Sequence, residues 1–171
     1  MPVKVAMIGA GSVVFCKTLI ADILATPSLQ DSHFALMAPT ETKLRRIENF
    51  IGRMIRDNKL PASVSATTNR REAIRDADFV VVMIQVGGFE AYGRDYEIPL
   101  KYGVDQCIGD TLGPGGVFRA QRHIPVLVDI ARDMAEVAKP HAIMLQYANP
   151  MAANCLALSK INPRSPTPAA V

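Results

Sequence analysis

The sequence predicts an α/β domain built on a doubly wound, mainly parallel sheet with helices on both faces. Three observations predict it. Val3–Ile8 is an apolar, largely β-branched run that ends in Gly9-Ala10-Gly11-Ser12, with a helical pattern directly behind. Phe79–Ile84 is apolar throughout, as a central parallel strand covered on both faces must be. Strand-like and helix-like stretches alternate along the chain, the order that produces βαβ units.

Composition sets the outer bounds. A chain of 171 residues can bury one good core and is short for a two-domain enzyme. Its net charge of +3 is small and its basic residues are scattered, so no nucleic-acid or membrane-surface footprint is expected. No apolar run approaches the ~20 residues of a membrane span, and the strand-like N-terminus lacks a signal-peptide pattern. Cys16, Cys107 and Cys155 are far apart and form no C-x-x-C pair, which fits free thiols in a reducing cytoplasm.

The elements follow in order. A strand, a Gly-x-Gly turn and a helix in succession form the opening of a Rossmann-like, dinucleotide-binding unit. Gly9 makes the tight turn, Gly11 lets the backbone approach a pyrophosphate, and the helix N-terminus offers unpaired N–H groups. Ser12 is expected to cap that helix, with Phe15, Leu19 and Ile23 as its sheet-facing stripe and an end near Pro27. The third glycine of the strict fingerprint is replaced by Val14, which predicts looser packing of helix on strand. Phe34–Met37 reads as a second strand. The acid that would accept from the ribose hydroxyls at its end is missing; Ala38-Pro39-Thr40-Glu41 stands there, so either Thr40 or Glu41 substitutes or nucleotide affinity is reduced.

Leu44, Ile47, Ile51, Met54 and Ile55 mark the inner side of a helix over 41–58, and 63–67 is a short strand. A brief helix over 70–75 leads through Asp78 into Phe79–Ile84. That strand ends in Gln85-Val86-Gly87-Gly88, at the sheet edge where ligands bind in open α/β folds; plain loop and direct cofactor contact weigh equally there. A helix is expected over 91–102. In Gly109–Arg119, four glycines and a proline predict a loop headed by Asp110, with turn formation as its simplest account. Helix resumes over 123–139 with Pro125 in its first turn. Ala142–Tyr147 is a further strand, and Asn149-Pro150 at its end is either a turn alone or a place where an amide reaches ligand hydroxyls.

Taken together, Gly9-Ala10-Gly11-Ser12, Asp78–Val82, Asp110-Thr111-Leu112-Gly113-Pro114-Gly115-Gly116, Ile124–Leu127 and Asn149-Pro150-Met151-Ala152 resemble the N-terminal part of glycoside hydrolase family four. The long glycine segment is most similar to the α-galactosidase branch. The resemblance covers about residues 3–160. It implies a glycosidase outside the paired-carboxylate mechanism. NAD takes hydride from the sugar C3, a tyrosine removes the acidified C2 proton, and a manganese ion polarises the C2 and C3 oxygens. The aglycone is then eliminated, water adds, and the hydride returns.

By matching motif, the resemblance assigns cofactor contacts to Gly9, Ala10, Gly11, Ser12, Gln85 and Gly87, a substrate contact to Asn149, and tuning of the tyrosine to Asp110. The family's aspartate at position 38 is Ala38 here, which puts the ribose contact in question. The family's Cys-His metal ligands and its tyrosine lie beyond the helix after Asn149, so no metal ligand is assigned within this sequence. His33, His123 and His141 have no partner at ligand spacing. The expected organisation is an NAD-binding domain over 1–160 and a Pro-rich tail over 161–171, with the second, catalytic and oligomerising domain absent. On this reading the polypeptide is a truncated, cytoplasmic enzyme, inactive alone and homo-oligomeric when whole. Two other classes share its residues: a non-catalytic NAD-binding module, and a lactate/malate-type dehydrogenase fragment. The sugar, and whether it is phosphorylated, are open; Arg94 reads as a solvated surface arginine.

Overall fold

The computed structural model describes residues 2–11 and 13–161. Strands β1 (Lys4–Ile8), β2 (His33–Met37), β3 (Ser63–Thr67), β4 (Phe79–Val82) and β5 (Ile143–Gln146) form one parallel sheet in the order β3-β2-β1-β4-β5. Helices α1 (Val13–Ala25), α2 (Glu41–Asp57), α3 (Arg70–Ile74), α4 (Gly88–Leu100), α5 (Gly113–Val137) and α6 (Met151–Ile161) connect and follow them. The chain winds outward from β1 to β3 and then returns to β4, so the order reverses between β1 and β4. In open α/β sheets a crevice forms at that switch point.

Alternation along β1 divides the core in two. Val5 and Met7 pack with Cys16, Ile20 and Leu24 of α1 and Leu44, Ile47 and Ile51 of α2 on one face. Ala6 and Ile8 pack with Ile74, Leu127, Ile130 and Leu158 on the other. The sheet is therefore covered on both sides, as its apolar strands require. Register aligns Ile8 with Met37 and Val82, and Val82 with Gln146. The segments beginning at Gly9, Ala38, Met83 and Tyr147 thus leave the sheet along one edge.

Three expectations are corrected. The buried stripe of α1 is Cys16, Ile20 and Leu24, while Phe15 is 54% exposed and Leu19 and Ile23 are only partly buried. Apolar residues occupy both rows at four-residue spacing, so periodicity alone does not select between them. The turn does: the N–H groups of Gly9 and Ala10 both donate to the Met37 carbonyl at 2.9 Å, fixing how the chain enters the helix. Val14 is 71% exposed, so its bulk does not separate helix from sheet.

The second correction concerns 113–119, which is helix rather than loop. A Cβ on Gly116 would lie 2.6 Å from the Thr111 carbonyl oxygen, and one on Gly115 would lie 2.7 Å from that of Asp95. These glycines let neighbouring backbone close onto the first turn. Thirdly, Pro125 falls in the middle of α5 and not in its first turn. It is exposed, as is Gln121, whose carbonyl loses the helical N–H that proline lacks. The expected tail beyond residue 161 lies outside the described residues, as does Ser12.

At the opposite sheet edge, Asp78 gathers the chain. Its carboxylate accepts from the Lys4 backbone N–H at 2.9 Å, from Lys139 Nζ at 2.8 Å and from His141 Nε2 at 3.2 Å. Burial pushes its pKa up, but these donors outweigh burial and hold it at about 2. A depressed carboxylate contributes stability above its unfolded pKa of about 4 and loses it as pH falls towards the folded value. Asp78→Asn is expected to cost about 2 kcal/mol at neutral pH, with the difference from the parent shrinking between about pH 4 and about pH 2, as read by urea titration.

Candidate functional site

Two adjoining cavities open along the edge where β1, β2, β4 and β5 end. The first, of about 520 Å³, is lined by Gly9, Gly11, Ala38, Thr40, Gln85 and Gly87 among others. The second, of about 500 Å³, is lined by Phe15, Phe89, Asp110, Arg119, Tyr147 and Asn149 among others. Lys43, Met83, Ile84 and Gln85 are walls of both.

Gly9 has φ 93°, and a Cβ there would sit 2.5 Å from the Met83 carbonyl oxygen. Only glycine permits both the conformation and the approach of β4. Gly11 differs: an added Cβ would meet only the Ala38 Cβ, at 3.7 Å, so the fold leaves room there. Ala10 is buried and its N–H is spent on Met37, so it supports the turn from beneath and lines neither cavity. Gly87, at φ 83°, caps α4, and a Cβ on it would strike Ala91. It is required by the turn, and it also lines the first cavity.

Asp110 and Asn149, 39 residues apart, meet across the second cavity, with Asn149 Nδ2 donating to Asp110 Oδ2 at 3.2 Å. Asp110 Oδ1 also accepts from the Thr111 hydroxyl at 2.8 Å. Glu41, one of the two proposed replacements for the missing acid, pairs with Arg45 and lines neither cavity; Thr40 lines the first.

Sequence reasoning missed the residues of α5 that hold these loops. Arg119, buried, donates from Nε to the Asn149 carbonyl at 3.0 Å and from Nη2 to Gln85 Oε1 at 3.4 Å, with its guanidinium 5.5 Å from the Tyr92 ring centroid. His123, fully buried, lies 2.9 Å from the Arg119 carbonyl through Nδ1. With the proton on Nδ1, Nε2 accepts from the Val86 N–H at 3.4 Å and steadies the turn after β4. Burial lowers its pKa, and Arg119 and Arg122 act in the same direction against the hydrogen bonds to it. Arg122 donates to both carboxylate oxygens of Asp95, which is 1% exposed, tying α4 to α5. Gln106 Oε1 accepts from the Gly115 N–H at 3.0 Å and satisfies the start of α5. The available signal was one of spacing: Arg119, Arg122 and His123 lie three and four apart, which puts them on one side of a helix once that segment is known to be helical.

Among the described residues, no three of His, Cys, Asp and Glu converge as a metal site, and no helix is long and apolar enough to cross a membrane. Cys16, Cys107 and Cys155 are unpaired thiols, and burial pushes that of Cys16 up to about 12.

The model of the family 4 glycosyl hydrolases matches residues 4–167. An α-galactosidase of Rhizobium meliloti is 50% identical over 151 residues, 88% of this chain and 31% of that protein. An α-galactosidase of Bacillus subtilis is 41% identical over 151 residues, 87% of this chain and 34% of that one. The chain therefore spans about a third of the length of these relatives. Among solved structures, a 6-phospho-α-glucosidase from gut microorganisms in complex with NAD and glucose-6-phosphate superposes with a TM-score of 0.84 at 25% identity, covering 99% of this chain and 39% of that one.

Two measurements check the packing of the site. Asp95→Ala leaves the half-buried Arg122 guanidinium without its carboxylate and is expected to cost about 1–3 kcal/mol in urea unfolding, whereas Asp95→Leu combined with Arg122→Met costs less. For His123, the unfolded chain takes up the proton first as pH falls below about 6.5, so acidification destabilises the fold. His33, also lowered by burial, contributes with the same sign. His123→Gln should flatten the fall in melting temperature between about pH 7 and about pH 5.5 relative to the parent, leaving only the His33 share.

Proposed function

The chain belongs to the family 4 glycosyl hydrolases, and from that premise we propose that residues 1–160 form the NAD-binding domain, with part of the sugar site, of an α-galactosidase. The observation that carries this is the meeting of Asp110 and Asn149 at the same sheet edge as the Gly9–Gly11 turn. The identity to two α-galactosidases supports the choice of sugar.

The donor set and space suit a dinucleotide. Gly9 and Gly11 keep side chains out of the first cavity, and α1 starts directly behind them with its positive end at the turn. Bound NAD would supply a reversible hydride acceptor, the chemistry that makes a sugar C2 proton acidic. Asn149 and Asp110 would hold sugar hydroxyls in the second cavity, with Arg119 fixing the Asn149 backbone and Gln85 beside it. The described residues assemble no donor set that fits manganese.

The test is a thermal shift of the chain with NAD. A ligand that binds only the folded state at a hundredfold excess over its Kd adds about 2.7 kcal/mol. Gly11→Ala has room in the fold, so its unliganded melting temperature should stay near that of the parent while the NAD shift is lost. Asn149→Ala should keep the NAD shift, because its amide faces the sugar side. An absent shift in the parent chain, or an undiminished one in Gly11→Ala, overturns the assignment. For the sugar chemistry, an enzyme carrying this chain should release galactose bearing deuterium at C2 when it works in D2O.

A further inference from the structure

We propose that the phenyl ring of Phe89 is the platform on which the sugar ring lies, and that it makes the second cavity choose a galactoside over the 4-epimeric glucoside. The inference rests on the sugar-site reading above and adds the residue that recognises the apolar face of the ring.

Phe89 follows two glycines in the left-handed region, Gly87 at φ 83° and Gly88 at φ 63°, and stands in the first turn of α4. It packs with neither core and is 88% exposed. An apolar side chain in water is ordinary when it stands alone on a surface. Phe89 does not stand alone. Of the six phenylalanines, the two most exposed are Phe89 and Phe15, and both line the second cavity, one from α4 and one from α1. Tyr147 is a third aromatic wall, and Asp110 and Asn149 supply the polar pair. Aromatic faces beside a few convergent polar groups are the lining of a small-molecule site.

For a sugar, the two kinds of wall answer two kinds of surface. A pyranose carries hydroxyls around its rim and C–H bonds on its faces. In a galactoside the axial 4-hydroxyl lies on one face, so H3, H4 and H5 form an unbroken apolar patch on the other. In a glucoside H4 points away from H3 and H5, and the patch is broken. The negative face of a phenyl ring attracts such weakly positive C–H groups once water is displaced from both. The platform is also tied to the polar pair. Gln85 Nε2 donates to the Gly88 carbonyl at 3.3 Å, on the peptide bond that leads into Phe89. Gln85 Oε1 accepts from Arg119, which donates in turn to the Asn149 carbonyl. Ring and amide are therefore referred to one guanidinium.

Saturation-transfer NMR on the chain, with selective irradiation of its aromatic protons and with methyl α-galactoside and methyl α-glucoside as probes, tests this. The parent should pass saturation most strongly to H3, H4 and H5 of the galactoside and bind the glucoside at least about fivefold more weakly. Phe89→Ala should lose that pattern, weaken galactoside binding at least about fivefold and bring the two epimers level, whereas Phe89→Trp should keep both pattern and preference. Because the side chain is exposed, the melting temperature and the NAD shift of both variants should match those of the parent. Galactoside binding that survives Phe89→Ala undiminished but is lost in Asn149→Ala overturns the platform and leaves the sugar site standing. Equal affinity of the parent for the two epimers has the same meaning. A parent chain that binds neither epimer overturns both readings.

Discussion

The site depends on one close approach, where the backbone leaving β1 passes the backbone leaving β4 at Gly9. A side chain of any size there would meet the Met83 carbonyl. Because the strands touch at that point, the N–H groups of Gly9 and Ala10 can both reach Met37 at the end of β2. Three strand ends are thereby tied at one place, and parallel register brings β5 to the same line. The entry of α1 follows from that tie, and so does the open space above it. The cavity is the consequence of a turn too tight to carry side chains.

A second device holds the far side of the crevice. Helix α5 sends Arg119 to the β5–α6 connection, His123 to the turn after β4, and Arg122 to α4. A buried cation such as Arg119 is costly unless its hydrogen bonds are met, and those of Arg119 go to a backbone carbonyl and an amide oxygen, with an aromatic face beside it. The return is geometric. Loops distant in sequence are referred to one rigid rod, so Gln85 and Asn149 hold fixed places relative to each other.

How much of this the sequence disclosed depends on the residue type. Strand-then-glycine order and unbroken apolar runs made the sheet, the turn and the edge position of Gln85, Gly87 and Asn149 legible. The inner face of α2 was legible because its apolar residues form a single stripe; that of α1 was not, because two neighbouring rows are apolar. The start of α5 was hidden by a property of glycine, which suits both a chain break and a close contact. Gly115 and Gly116 serve the second purpose, and only the position of the 109–112 segment distinguishes the two. Ala38 was legible as a missing acid, but that α2 and α3 bring Lys43 and Arg70 to the same cavity was not.

The Asp110–Asn149 contact shows what such placement adds to composition. An ionised carboxylate only accepts hydrogen bonds, so the group of Asn149 facing Asp110 must be its NH2, which leaves Oδ1 as the acceptor directed elsewhere. Asp110 is itself held through Thr111, and the Asn149 backbone through Arg119. In the proposed sugar site, neighbouring hydroxyls that each donate and accept would meet a carboxylate beside an amide. Either residue alone would be a turn-former on a loop; joined, they form a polar pair on the wall of the second cavity.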